Sequence, residues 1–273
     1  MNPMDAKPSH VAAVGASGDA APGSPIVDVD GLTRRFGALV AVDHVSLQIH
    51  AGETFALIGP NGAGKSTLMK MLTTMLPPTA GRATIAGFDV ARDPQAVRAH
   101  IGYVPQLLSA DGDLSGQENM LLSARLYLIP RGERRKRVAE ALAMMGLTEA
   151  KDRLVRTYSG GMARRLEIAQ STLHRPAVLF MDEPTVGLDP AGRRAVWRHV
   201  AELRAQIGAA VVFSTHYMDE AEEVCDRLAL IHEGRIAAMG TPAELRAASG
   251  PDATLDDVFN DLTGARIGAG GEA

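Results

Sequence analysis

The chain has 273 residues, 46% of them hydrophobic, with 28 basic against 32 acidic residues and a net charge of −4. That is enough for a sizeable core and one domain of roughly 200 to 250 residues with appendages, and the charge balance gives no whole-chain attraction for nucleic acid. The single cysteine, Cys225, excludes an internal disulfide and fits a reducing compartment, and no apolar run approaches the roughly 18 to 20 residues that cross a bilayer.

Residues 1–24 carry Asp5, Asp19 and several Gly and Pro without a continuous apolar stretch, which predicts a disordered tail rather than a secretory leader. Strand-like runs at 26–29 and 45–49 are punctuated by turn signals at Asp30-Gly31 and Ala51-Gly52. A strand over 54–58 runs into a glycine-rich segment. Leu68, Met69, Met71, Leu72, Met75 and Leu76 then recur at helical spacing until Pro77-Pro78, with the methionines expected in the core rather than on a metal. Short strands follow near 83–86 and 101–104. Between about 107 and 157 helical patterns at 117–128 and 134–145, broken by Pro130 and Gly146, predict an inserted helical subdomain, with the Arg131–Arg137 basic run on a solvated face. Strand and helix patterns alternate again at 177–181, 194–206, 210–214, 221–225 and 228–232, which argues for an α/β fold with a parallel sheet covered by helices. Gly240-Thr241-Pro242 is expected to end the core, and 255–262 reads as a small helix with an apolar face. The expected organisation is thus a tail over 1–24, one domain over 25–240 and an extension over 241–273.

The glycine-rich segment is Gly59-Pro60-Asn61-Gly62-Ala63-Gly64-Lys65-Ser66-Thr67, the spacing Gly-x4-Gly-Lys-Ser between an apolar strand and an amphipathic helix. Glycines let backbone N–H groups converge, and the following helix start adds partial positive charge. Lys65 can reach β- and γ-phosphates, and the Ser66 hydroxyl can ligate Mg²⁺. Farther on, the run 177–181 delivers Asp182 and Glu183 to the end of a buried strand, where adjacent carboxylates are costly unless a cation or a reaction needs them. Asp182 is expected as a Mg²⁺ partner and Glu183 as the base polarising an attacking water; the alternative is an N-capping role for the aspartate.

Taken with Tyr103-Val104-Pro105-Gln106, Ser159-Gly160-Gly161, Gly187-Leu188-Asp189 and His216 after 210–215, these motifs resemble the nucleotide-binding subunit of an ATP-binding cassette (ABC) transporter over about residues 26–264. The resemblance implies a P-loop ATPase core with an antiparallel β-subdomain and an inserted helical subdomain. It implies ATP and Mg²⁺ as cofactors, and a site completed in trans: Ser159, Gly160 and Gly161 of a second copy grip the γ-phosphate. Gln106 then contacts Mg²⁺ or the water, His216 senses the γ-phosphate, Asp189 meets the other copy's loop and Phe36 stacks on adenine. Taken singly, Gln106 and His216 carry little, and Phe36 also suits a hairpin core. The family further implies a separate membrane permease as partner and a place at the cytoplasmic face of the membrane.

Departures from the family pattern are Tyr158 for leucine and Met162 for glutamine in the signature, and Val186-Gly187 for serine-alanine before Leu188. The signature, Glu183 to Pro190 and the terminal 255–264 segment are similar to bacterial drug and antibiotic exporters of the daunorubicin-resistance type. A soluble cassette ATPase outside transport is the alternative reading. A GTPase switch is not supported, since the chain has no Asn-Lys-x-Asp segment.

Overall fold

A computed structural model describes residues 24–250 and 253–264; the expected tail, apart from Ser24, and the chain end beyond 264 lie outside the described residues. The chain opens with a hairpin, β1 (Val27–Phe36) and β2 (Leu39–Ile49). Asp30-Gly31, expected as a turn, is instead a register shift inside β1: the pairing with β2 jumps between Val29 and Leu32, and Gly31 takes a φ of 58°. A bulge keeps the strand continuous while Val27, Val29 and Leu32 all stay buried. β3 (Thr54–Ile58) follows, then α1 (Lys65–Leu72). The helix ends earlier than its pattern suggested because Thr74 adopts a φ of 61°, which leaves Met75 outside the helix and exposed. β4 (Ala80–Ile85), the two-residue β5 (Phe88–Asp89), α2 (Pro94–His100) and β6 (Ile101–Val104) come next.

The helical insertion holds α3 (Gly116–Leu126) and α4 (Arg131–Met144), followed by 3₁₀ turns at Thr148–Ala150 and Val155–Thr157. Ser115 and Glu118 start α3 with reciprocal capping bonds. The chain returns through α5 (Gly160–Thr172), β7 (Val178–Asp182), α6 (Pro190–Ile207), β8 (Ala210–Thr215), α7 (Met218–Val224) and β9 (Arg227–His232). A further strand, β10 (Arg235–Gly240), pairs antiparallel with β9, so the main sheet is mixed rather than wholly parallel. After Gly240 the chain carries two helices where one was expected, α8 (Pro242–Ser249) and α9 (Leu255–Thr263); Thr241 with Glu244, and Thr254 with Asp257, supply their capping boxes.

Two sheets result, an antiparallel one in the order β2-β1-β4-β5 and a six-stranded one in the order β10-β9-β3-β8-β7-β6. Side-chain alternation divides the larger sheet between two cores. Ala56, Ile58, Leu179, Met181, Val211 and Phe213 face α3 to α9, including Leu255, Val258 and Phe259. Phe55, Leu57, Val178, Phe180 and Val212 face α1, α2 and the antiparallel sheet. A strand buried on both faces reads as a continuous apolar run, which is why 177–181 and 209–213 show no alternation of polarity.

Candidate active site

Neighbouring parallel strands bring the chemistry together. β8 lies between β3 and β7, with Ile58 level with Thr215 and Ser214 level with Asp182. On the far side of β7, Val104 of β6 is level with Met181, so Gln106 leaves the same carboxyl edge. Ligands of open α/β sheets bind at this edge.

The glycine loop leaves β3 and is braced from two sides. A Cβ on Gly59 would sit 2.1 Å from the Ile231 carbonyl oxygen, and one on Gly64, whose φ is 105°, would sit 2.4 Å from that of Ala41. Glycine is thus required at both positions by close backbone approach. Lys65, 4% exposed, donates from Nζ to the carbonyls of Gly59 (2.6 Å) and Pro60 (3.0 Å) and lies 3.6 Å from Glu183 Oε1. Burial holds its ammonium below the usual lysine range, opposed by the carboxylates of Glu183 and Asp182.

Ser66 Oγ donates to Asp182 Oδ1 at 3.0 Å, which places two hard oxygen atoms side by side at the start of α1. Ser214, not singled out in the sequence, joins the two acidic residues: its hydroxyl donates to Asp182 Oδ1 (2.5 Å) and accepts from the Glu183 backbone N–H (3.0 Å). Glu183 is 6% exposed and held at a φ of 47°, a left-handed conformation that costs a non-glycine residue roughly 1–3 kcal/mol. His216 Nδ1 lies 3.2 Å from Glu183 Oε2, without the alignment of a hydrogen bond.

A second group of predicted residues gathers at two adjacent helix starts. Ser159 caps α5 by accepting from Met162 N–H at 3.3 Å, and Asp189 caps α6 by accepting from Gly192 N–H at 2.9 Å. A Cβ on Gly160 would meet Leu188 Cδ2 at 3.1 Å and one on Gly161 would meet Gly192 Cα at 3.6 Å, so the two starts are packed together. Of the departures, Tyr158 donates from Oη to the Ala150 carbonyl at 2.7 Å and Met162 packs against the apolar cluster, so both serve the helical layer.

Gln106 is exposed, and its backbone is held by a pair that carries no motif in the sequence. Buried Arg164 on α5 donates to the carbonyls of Pro105 and Gln106, both at 2.6 Å, and to Glu167 at 3.0 Å; Glu167 in turn accepts from the Ser109 hydroxyl at 2.9 Å. Phe36, at the tip of the β1–β2 hairpin, is 45% exposed and has the Arg34 guanidinium 4.6 Å from its ring centroid.

A buried lysine in a glycine loop, a serine–aspartate pair and a glutamate beside a histidine define a nucleoside-triphosphatase of the P-loop class. Residues 42–186 match the family described as ABC transporter. The chain is 43% identical to the daunorubicin/doxorubicin resistance ATP-binding protein DrrA of Streptomyces peucetius, covering 82% of this chain and 68% of that protein. It is also 43% identical to the doxorubicin resistance ATP-binding protein DrrA of Mycobacterium tuberculosis H37Rv, over 86% of this chain and 71% of the relative. Among solved structures, cbiO1 from Clostridium perfringens, part of the ABC transporter complex cbiONQ, is 31% identical with a TM-score of 0.75, covering 82% of this chain and 91% of that one. The chain belongs to the ABC transporter family, as an ATP-binding and ATP-hydrolysing subunit.

Proposed function

We propose that the chain binds Mg-ATP between two copies of itself and uses its hydrolysis to drive a separate permease that exports drug- or antibiotic-like compounds. The observation that carries this is the division of the site: Lys65, Ser66, Asp182, Glu183 and His216 form one cluster, while Ser159 and Asp189 form another through contacts that involve none of these. The family resemblance, in which the second group completes the site from a neighbouring copy, accounts for this division. Lys65 and the loop N–H groups hold the β- and γ-phosphates, and α5 of the second copy adds a helix start free of side chains at Gly160 and Gly161.

Ser66 and Asp182 fit Mg²⁺, which takes one or two protein oxygens together with phosphate oxygens; when bound, the ion neutralises developing phosphate charge. Glu183 takes the proton of the attacking water, and His216 keeps the carboxylate turned toward it. The γ-phosphate joins the two copies and its cleavage separates them. The drug-export reading rests on the resistance proteins above, and these relatives weigh against a cassette ATPase outside transport. No helix among the described residues is long and apolar enough to cross a membrane. A permease supplies attachment to the cytoplasmic face, and the exposed Leu122, Leu126 and Leu128 at the end of α3 suit a partner's apolar surface.

Glu183→Gln tests this reading: hydrolysis falls roughly 10²- to 10⁴-fold, as for loss of a general base, while ATP binding persists and size-exclusion chromatography shows an ATP-dependent dimer. Near-normal turnover, or a monomer with ATP bound, would overturn it.

A further inference from the structure

Glu220 on α7 is 7% exposed and has no cationic partner among the described residues. Its carboxylate is instead held by three neutral donors from three other segments. Oε1 accepts from the Thr185 hydroxyl and from Trp197 Nε1 at 2.7 Å; Oε2 accepts from the Thr215 hydroxyl at 2.9 Å. A buried carboxylate without a counter-charge is expensive, and three hydrogen bonds only partly offset that cost.

The donors are placed around the reaction. Thr185 stands two residues after Glu183, separated from it by Pro184. Thr215 immediately precedes His216, and its hydroxyl also accepts from Tyr217 N–H at 3.0 Å, so both flanks of the histidine are tied down. Trp197 lies on α6, about two turns from the Asp189 cap, with its ring edge-on to Phe213 of β8 at 4.5 Å between centroids.

We propose that Glu220 is a positioning residue for hydrolysis: it sets the Glu183 segment against the His216 segment and links both to α6, whose start faces the second copy. Closure of the dimer, felt at Asp189, thereby reaches the base and the histidine through one carboxylate. This rests on the function proposed above.

Trp197 is the only tryptophan in the chain, so its emission reports on the network. With the purified full chain and Mg-ATP, Glu220→Gln is expected to lower kcat at least about tenfold with KM within about twofold, the pattern of lost transition-state alignment. One nucleotide should still bind per chain; the unaltered chain is expected to change its tryptophan emission on adding ATP, and Glu220→Gln to lose that change. Trp197→Phe and Thr215→Val, each removing one donor, are expected to lower kcat in the same sense, and they decide the matter if Glu220→Gln does not fold. Wild-type kcat in the folded variants would overturn the inference, as would a loss confined to KM or to the fraction of chain that binds nucleotide. Glu183→Gln and His216→Ala, assayed alongside, separate the failures: if they too hydrolyse ATP normally the underlying site assignment falls, and if they are inactive while Glu220→Gln is not, only the role of Glu220 falls.

Discussion

Lys65, Ser66, Asp182, Glu183 and His216 stand out in the sequence because phosphate chemistry restricts residue type as well as spacing, and the fold gathers all five at one sheet edge. Ser214 does not stand out. Its partners Asp182 and Glu183 are 32 and 31 residues away, and a serine ending an apolar strand looks like an ordinary polar substitution until β7 and β8 pair. The same holds for Glu220, which is 35 residues from Thr185. At this scale the glycine loop gives a sharp expectation. In Gly59→Ala the new methyl group must displace the Ile231 carbonyl, so the protein loses roughly 1–3 kcal/mol as an overpacked site does. Thermal denaturation should show a fall of about 2–4 °C per kcal/mol for a chain of this size.

At the scale of elements, α5 holds the assembly together. Its first turn is predicted to meet a neighbour's phosphate, its middle holds the Gln106 loop through Arg164 and Glu167, and beyond its end His174 stacks on Tyr127 with ring centroids 4.0 Å apart. The sequence could not show this, because the carbonyls that Arg164 grasps belong to backbone 58 and 59 residues earlier and backbone leaves no mark in residue type. Arg164→Met strands Glu167 without its cation, a change that costs roughly 3–5 kcal/mol in buried pairs, and frees the Gln106 loop. The expected result is a lower denaturation midpoint in urea together with reduced ATPase turnover.

His174 adds a pH dependence. Burial pushes its imidazole down to about 4 from 6.5, so between those values the unfolded chain binds the proton and the folded chain does not. Stability from this residue is complete above about pH 6.5 and is lost as pH falls toward 4, by up to about 3 kcal/mol. Replacing it by His174→Gln should flatten the decline in unfolding free energy between pH 7 and pH 5 relative to the unaltered chain.

For the whole molecule, the alternation of strands and helices made the fold class legible, while the sheet's two-sided burial hid its strand periodicity. The mixed character of the sheet was also hidden: β10 is a short, half-exposed strand whose direction follows from the tight turn at Glu233-Gly234, with φ values of 47° and 77°, and not from its own composition. The division of the site gives the test at this level. Lys65→Ala and Ser159→Arg each disable one half, so either variant alone should be inactive. Mixed in equal amounts they should regain ATPase activity, because half of the randomly paired dimers then hold one intact Lys65 opposite one intact Ser159. Activity that stays at the level of the separate variants would exclude a shared site.

Leu188 fills the space over Gly160 while Gly161 rests against Gly192, and this contact has a mechanical result. The starts of α5 and α6 are in direct contact, so a shift of one bears on the other. In the dimer proposed above, a subunit whose α5 start lets go of the γ-phosphate would draw its Asp189 away in the same movement, which makes release a single step.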